Sequence, residues 1–252
     1  LNRMCEGLEN CVGDTALALA MISDDSFYME MKKDYAPEMV TAFIRLNGAT
    51  VGCVANRSEV YTDGEKTATY DAALTAAGCE KAAAFVNFCN AFEIPVLTLV
   101  NVDGYKNCKC NEKKIAKAAA RLTYAFANAD VPKVTVVVGK ANGTAGLTMN
   151  SKSIGSDIVY AWKNAKIGVM EAAPAVKIMY ADEITKADNA AALINEKAAQ
   201  YNEMQASALA AAKRGYVDDI IEASETRQRV AAAFEMLFTK REDRPSKKHG
   251  TI

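Results

Sequence analysis

Short apolar runs alternate with segments of helical periodicity along most of the chain. Runs bounded by Gly, Asn or Pro have the composition of buried strands, and they cover residues 49–55, 94–101, 131–138, 157–162 and 166–170. Between them, apolar residues recur at i, i+3, i+4 and i+7, as on one face of a helix. The predicted helices lie around 82–92, 112–127, 145–153, 172–180, 188–213 and 225–238.

This alternation predicts an α/β fold in which successive strands pair in parallel through right-handed crossovers. The polar segment 61–69 has no pattern and is predicted to be a loop. Residues 1–40 are predicted to be a helical lead-in, and residues 41–252 to be a single domain, because no linker rich in Pro, Gly or Ser divides them.

The composition narrows the functional classes. Half of the 252 residues are apolar, which is typical of globular proteins. The 30 basic residues nearly balance the 31 acidic ones, so no overall field draws the chain to nucleic acid or to an anionic membrane. No apolar run reaches the roughly 18–20 residues of a membrane helix, and the first residues do not have the pattern of a signal peptide. These features predict a cytoplasmic protein with neither nucleic acid binding nor membrane insertion.

The seven cysteines are predicted to be free thiols. Cys53, Cys79 and Cys89 lie in apolar segments, where a thiol serves as a small hydrophobe. Cys108 and Cys110 form a C-K-C pair, which is either a pair of loop thiols or half of a structural zinc site. No second Cys or His pair follows at ligand spacing, so no metal is predicted.

The stretch VVVGKANGTAGLTMNSKSIGSD, residues 136–157, joins a buried strand to a helix through small residues. One interpretation is a helix-entry turn, which the pattern alone favours because Gly-rich turns are common. The other is an oxyanion hole, in which the amides of Gly143, Thr144 and Ala145 face an oxygen that gains negative charge in the transition state.

Other catalytic signatures are weak. Asp103 in VNVDGY is either a general acid–base group or part of an Asp-Gly turn. The single histidine, His249, lies in the terminal tail, and no G-x-S-x-G or phosphate-binding Gly loop occurs. A serine hydrolase or a nucleotide-binding enzyme is therefore not supported.

Several longer stretches have a collinear resemblance to one family, the C-terminal half of the biotin-dependent acyl-CoA carboxylase carboxyltransferase (β-type) subunits. They are RLNGATVGCVAN (45–56), KAAAFVNFCNAFEIP (81–95), YAFANADVPKVTVV (124–137), MNSKSIGSDIVYAW (149–162), RGYVDDII (214–221) and KREDRPSKKHG (240–250). The resemblance implies the crotonase-like (ClpP/crotonase) fold, with repeated ββα units around a parallel sheet core. Residues 41–252 would then be the carboxyltransferase C-terminal domain.

The resemblance also implies a chemistry for the small-residue turn. In the family, a Gly-Gly-Ala loop donates backbone N–H groups to the ureido oxygen of carboxybiotin, and here the matching residues are Gly143, Thr144 and Ala145. Thr144 and Ala145 would be the donors and Gly143 would form the turn. Asn142, Gly146 and Gly104 match further positions at the biotin site and are predicted to bind the cofactor.

The implied function is a transferase or ligase component that moves a carboxyl group between carboxybiotin on a biotin carboxyl carrier protein and a short acyl-CoA. The family's coenzyme A side lies in its N-terminal half, so an N-half chain or domain is an expected partner, in an oligomer. Two alternatives stay open: a subunit of a biotin-dependent sodium-pumping acyl-CoA decarboxylase, and a catalytically degenerate assembly subunit.

The degenerate alternative arises from departures from the family pattern. Asn101 stands at the family's Asp, Lys113 and Lys114 at a paired Gly, and Gly139 at an Arg. Asn142 and Gly146 replace aromatic residues, which predicts a wider biotin slot with less stacking surface.

Overall fold

The computed structural model describes residues 3–62, 64–187 and 189–242 of the chain. Within this part, a central sheet of eight strands is covered by helices on both faces, so the predicted α/β class is confirmed. His249 and most of the stretch 240–250 lie outside the described residues.

The central sheet is mostly parallel. Its strands are β1 (Tyr28–Glu30), β2 (Met39–Leu46) and β3 (Ala49–Asn56), followed by β7 (Val96–Val102), β9 (Lys133–Asn142), β10 (Ile158–Trp162), β11 (Lys166–Gly168) and β12 (Asp219–Ile221). The order is β1-β2-β3-β7-β9-β10-β12. The first three strands form an antiparallel edge, and the later pairings are parallel. β10 lies beside the start of β9 and β11 beside its end, so β9 is paired as far as Asn142.

Two small two-stranded sheets flank this core. They consist of β4 (Glu59–Thr62) with β5 (Glu65–Thr69), and of β6 (Ala73–Leu74) with β8 (Gly104–Tyr105). The helices are α1 (Thr15–Ile22), α2 (Ala76–Ala91), α3 (Lys109–Asn128), α4 (Gly143–Thr148), α5 (Ala172–Met179), α6 (Ala181–Lys186), α7 (Ala190–Met204), α8 (Ala208–Lys213) and α9 (Thr226–Met236). None of the described helices has both the length and the hydropathy to cross a membrane.

The sheet separates two hydrophobic layers. Along β9, Val134, Val136 and Val138 pack in the layer that contains α1 and α9, whereas Val137 packs in the layer of α2 and α3. Because successive side chains of a strand point to opposite faces, a strand buried on both faces is apolar throughout. This explains why β7 and β9 were recognised from sequence.

The structure corrects three of the predicted elements and adds strands that were not predicted. The segment 61–69 is largely a hairpin, β4 with β5, whose polar and mostly exposed residues give no period-two apolar signal. Strands β1, β2 and β12 were not predicted. The predicted helix 145–153 begins earlier and ends at Thr148, and the predicted helix 188–213 is divided before Ser207, whose side chain caps α8.

A buried polar cluster fixes the chain that follows α4 to the sheet. Asn150 has a φ of +54°, and its carbonyl accepts from Thr135 Oγ1 at 2.7 Å while its Nδ2 donates back to the same hydroxyl at 2.9 Å. Ser156 Oγ lies 3.1 Å from Thr135 Oγ1. Asn150 Nδ2 also reaches Thr98 Oγ1, but at 3.4 Å. Thr135 is therefore the main anchor of this segment.

Thr135→Val is expected to destabilise the protein by about 2–3 kcal/mol, because the buried carbonyl and amide of Asn150 lose a partner without regaining water. Urea unfolding at unchanged m-value measures this loss as a lower midpoint.

Thr98→Val is the matched control, since Thr98 is equally buried on the neighbouring strand but makes only the longer contact. It is expected to cost less than about 1 kcal/mol. Equal losses for the two variants would contradict the assignment of Thr135 as the anchor.

Candidate functional site

The small-residue turn of the sequence lies at the carboxyl end of β9, where α4 begins at Gly143. Asn142 has extended backbone and Gly143 has a φ of +58°, in the left-handed region that favours glycine. The first amides of an α-helix have no acceptor within the helix. No described side chain caps α4, so the amides of its first turn receive no side-chain acceptor from the cap residue.

The glycines of this turn are needed for packing. A Cβ on Gly146 would lie 2.7 Å from the Ala141 carbonyl carbon, and one on Gly143 would lie 3.0 Å from the Val169 carbonyl oxygen. Both obstacles are backbone atoms and cannot rotate away. Small residues therefore let α4 fold back against the strand that precedes it. Both a helix-entry turn and an anion-binding turn require this close packing, so it is compatible with either interpretation.

A cavity of about 500 Å³ opens in front of the turn. Its floor comes from β7, β9, β10 and β11, one wall from α4 and residues 151–153, and the other wall from α7 and residues 214–217. The residues that line it are Val100, Thr135, Val137, Ala141, Gly143, Thr144, Gly146, Leu147, Met149, Ser151, Lys152, Ser153, Val159, Ile167, Gly168, Val169, Tyr201, Gln205, Arg214, Tyr216 and Val217.

Three of the six predicted site residues line this cavity: Gly143, Thr144 and Gly146. Thr144 is exposed, whereas Ala145 is buried behind the wall. Asn142 is buried one residue before the helix, and Gly104 lies in β8 beside Ala73. Neither Asn142 nor Gly104 is among the described lining residues of the cavity.

Asn142 belongs to a polar cluster at the end of β9. Its Nδ2 donates to Asp103 Oδ1 at 3.2 Å, and Lys140 Nζ lies 3.0 Å from Asp103 and 2.8 Å from Glu171. Partial burial opposes the charge of Lys140, but the hydrogen bonds to Glu171 and Asp103 outweigh it and raise the pKa of this ammonium. Asp103 therefore accepts from the two residues that lead into the turn, and here it acts as an anchor.

Gly104 is connected to the turn through its neighbour. Tyr105 Oη lies 3.0 Å from Thr148 Oγ1, which in turn donates to the Thr144 carbonyl at 2.9 Å. A Cβ on Gly104 would meet no atom within 4 Å, and its φ is not in the left-handed region. Nothing in the local packing requires glycine at this position.

Two residues predicted to depart from the family pattern, Asn101 and Gly139, lie against each other. Asn101 Oδ1 accepts from the Lys140 amide at 3.1 Å, and Asn101 Nδ2 donates to the Val12 carbonyl at 3.0 Å. A Cβ on Gly139 would overlap Asn101 Oδ1. The Asn101 side chain thus occupies the space beside Gly139, and the two substitutions form one packed, fully hydrogen-bonded unit.

The polar mouth of the cavity was not predicted as a site. Arg214 donates to the Gln205 carbonyl at 2.9 Å and to the Gln205 side chain, and Lys152 Nζ bonds Asp218 at 2.8 Å. Arg214 and Tyr216 belong to the family-like stretch RGYVDDII, and Lys152 belongs to the family-like stretch MNSKSIGSDIVYAW. The resemblance therefore included these residues, but it assigned them no role. Residues from α7 carried no such signal in their Ala-rich sequence.

Comparison with known families gives one extensive match. Residues 9–252 match the carboxyl transferase domain.

Two curated relatives have nearly the same sequence identity to this chain. The methylmalonyl-CoA carboxyltransferase 12S subunit of Propionibacterium freudenreichii subsp. shermanii is 41% identical over 95% of this chain and 44% of its own length. The methylmalonyl-CoA decarboxylase subunit alpha of Propionigenium modestum is 40% identical over 93% of this chain and 44% of its own length. The chain thus spans less than half the length of these relatives.

Solved structures similar to this chain are also those of transcarboxylase and carboxylase subunits. A transcarboxylase 12S structure, described as a hexamer assembly with methylmalonyl-coenzyme A and methylmalonic acid bound, superposes with a TM-score of 0.86 at 41% identity. It covers 94% of this chain and 44% of the solved chain. The β subunit of geranyl-CoA carboxylase from P. aeruginosa has a TM-score of 0.76 at 25% identity, over 94% of this chain and 43% of its own.

These neighbours confirm the predicted crotonase-like fold. Because the family match spans nearly the whole sequence and the two relatives are 40–41% identical to it, the chain belongs to the carboxyl transferase domain family.

Proposed function

We propose that this chain forms the biotin side of a carboxyltransferase that moves a carboxyl group between carboxybiotin on a carrier protein and a short acyl-CoA. The observation that carries the proposal is the uncapped turn at Gly143 and Thr144, which faces a cavity of about 500 Å³ in a member of the carboxyl transferase domain family.

The residues present fit a biotin ring. Ligand pockets are commonly about 300–1,000 Å³ and mostly apolar with a few placed polar groups. The strand floor offers Val100, Val137 and Val159 to the apolar part of the ring system, and the turn offers backbone donors to the ureido oxygen. Ser151 Oγ, on the same wall, is buried and has no hydrogen-bond partner among the described residues. A buried hydroxyl without a partner fits a site completed by a polar ligand.

Bound biotin would supply the carboxyl group and an oxygen that gains negative charge as the carboxyl group leaves. The chain has to hold that ring, exclude water and place donors at the oxygen. We assign the donors to the amides of Thr144 and Ala145, and the turn itself to Gly143. Gly146 contributes by its missing side chain, which lets the helix approach Ala141. Fixed donors in a low-dielectric site stabilise developing charge without reorganising during the reaction.

Asn142 and Gly104 are proposed to act at the rim of the biotin site. Asn142 would hold the turn through Asp103, and Gly104 would do so through Tyr105 and Thr148. Both roles position the amides and place no side chain on the ring.

The coenzyme A side is proposed to come from an N-half chain or domain, because the chain spans only 44% of its relatives. The active site would then lie between the two halves, in an oligomer with a biotin carboxyl carrier protein as partner, in the cytoplasm. The relatives named for methylmalonyl-CoA favour a short branched acyl-CoA of that class as substrate.

A decarboxylase subunit is the second candidate, favoured by the 40% identity to a methylmalonyl-CoA decarboxylase subunit alpha. The same turn would serve carboxyl transfer from the acyl-CoA to biotin. Sodium-dependent coupling to a membrane partner would distinguish this candidate from a carboxylase component.

Reconstitution tests the proposed function. The protein, combined with the N-half of its own complex, is expected to exchange labelled carboxyl groups between methylmalonyl-CoA and free biotin, while either half alone shows no exchange. The assay measures label in the biotin fraction, with propionyl-CoA as acceptor for the reverse direction. An intact complex without exchange in either direction would reject the catalytic proposal and favour an assembly role.

Thr144→Pro tests the amide donors. Residue 144 is exposed in the first turn of α4, where a proline is tolerated and removes one N–H that has no acceptor in the helix. Its predecessor is Gly143, which has no Cβ to clash with the proline ring. The exchange rate is expected to fall about 10²- to 10³-fold, the usual cost of one oxyanion-hole donor.

Thr144→Ala is the matched control, since it removes the hydroxyl and keeps the amide. It is expected to retain exchange within about threefold of wild type, because an exposed threonine side chain contributes little. Equal activity of the Pro and Ala variants, with both folded by circular dichroism, would remove Thr144 from the set of donors.

A further inference from the structure

The C-K-C pair lies outside the proposed biotin site, at the start of the 20-residue helix α3. Cys108 is the N-cap residue, and its Sγ lies 2.9 Å from Cys110 Sγ. A disulfide bond is about 2.05 Å long, so the two sulfurs need to approach by only about 0.9 Å. The pair borders a separate groove of about 390 Å³ between the starts of α2 and α3.

The two thiols differ from the other cysteines of the chain. Cys5, Cys11, Cys53, Cys79 and Cys89 are buried, whereas Cys108 is partly exposed and Cys110 is exposed. Burial raises the pKa of Cys79 and of Cys89 to about 12. A thiol-reactive reagent in solution is therefore expected to react at Cys108 and Cys110.

Cys108 has the environment of an attacking thiol. The hydrogen bond from Cys110 lowers its pKa, and the backbone N–H of Asn111 and the charge of Lys106 act in the same direction. The same hydrogen bond raises the pKa of Cys110. A thiolate is the nucleophilic form of cysteine, so the order of attack follows from these surroundings.

The backbone around the pair is held in place. Asn111 Oδ1 accepts from the Ala76 amide at 2.7 Å, and Asn111 Nδ2 donates to the Lys106 carbonyl at 2.8 Å. This buried side chain ties the segment before α3 to the start of α2. The two sulfur atoms are therefore held near each other, and bond formation between them does not require a flexible loop to become ordered.

We propose that Cys108 and Cys110 form a dithiol site that reacts with a small peptide-like disulfide of the glutathione class. The Cys108 thiolate attacks one sulfur of the disulfide, whose S–S bond breaks and releases one thiol after protonation. The Cys110 thiolate then attacks Cys108 Sγ, a Cys108–Cys110 bond forms, and the second thiol leaves. The two cysteines lose two electrons and two protons, and the disulfide gains them as two thiols.

The groove matches this class of reagent. Lys106 and Lys114 line it and present ammonium groups to the carboxylates of such a peptide, while Glu38 and Asp71, the latter bonded to Lys106 at 3.1 Å, offer carboxylates to its amino group. A structural metal fits less well, because within the described ranges no three His, Cys, Asp or Glu side chains gather as a ligand set. Two thiols without further ligands favour exchange chemistry over a closed zinc site.

The test uses the native protein in buffers of reduced and oxidised glutathione at pH 7, acid-quenched and alkylated before intact-mass analysis. Wild type is expected to lose two alkylation sites without a lasting glutathione adduct, and peptide mapping is expected to place the bond between Cys108 and Cys110. Retention of both free thiols in oxidised glutathione, or a bond to another cysteine, would overturn the proposal.

Single variants separate the two roles. Cys110→Ser keeps a hydroxyl donor beside Cys108 and is expected to accumulate one glutathione adduct at Cys108. Cys108→Ser is expected to react about tenfold more slowly, since the charge of Lys106, which favours the Cys108 thiolate, does not act on the remaining Cys110 thiol. Equal rates would refute the assigned order of attack. The double variant, checked for a wild-type thermal midpoint, is expected to show no oxidation, and any thiol loss in it would assign the chemistry to other cysteines.

Discussion

The close approach of α4 to β9 is the constraint on which the site depends. A helix that follows its own strand after a single left-handed residue has to lie against the strand's backbone, and Gly146 allows this because any Cβ there would overlap Ala141. This approach places the wall of the cavity directly above the strand floor. It also sets the first-turn amides at the carboxyl end of the parallel sheet, where ligands of α/β folds commonly bind.

The segments on either side of the turn are fixed by separate polar clusters. Before it, Asp103 accepts from Asn142 and Lys140; after it, Thr135 holds Asn150. Both clusters leave the cavity surface itself mostly apolar. Asn101, predicted to stand in place of an Asp of the family, is accommodated by packing, since it fills the space beside Gly139 and accepts a hydrogen bond from the Lys140 amide. The unusual residues form a packed arrangement, which weighs against a loop that has lost its structure.

The sequence was sufficient for the parts of the fold that are buried on two faces. β7 and β9 have continuous apolar runs, and α2 and α3 have clear helical faces, so both types of element could be predicted. The β4–β5 hairpin could not, because exposed strands with polar residues lack the period-two signal. The turn at Gly143 was identified from its small residues. The opposite wall was missed because α7 reaches the cavity through tertiary packing that its Ala-rich sequence does not encode locally.

The charges around the turn bear on the proposed role of its amides. Lys140, Lys152 and Arg214 are the nearby cations, and each is already bonded: Lys140 to two carboxylates, Lys152 to Asp218 and Arg214 to Gln205. Carboxylates weaken the fields of Lys140 and Lys152, whereas Arg214 is bonded to the neutral Gln205 and keeps its charge, so the proposed backbone donors would act together with this guanidinium. Their proposed strength depends on exclusion of water from the cavity, which this chain walls with α4 on one side and α7 on the other. The proposed second half of the active site would therefore add more than the coenzyme A pocket, because closing the cavity would lower the dielectric around donors that this chain has already fixed in place.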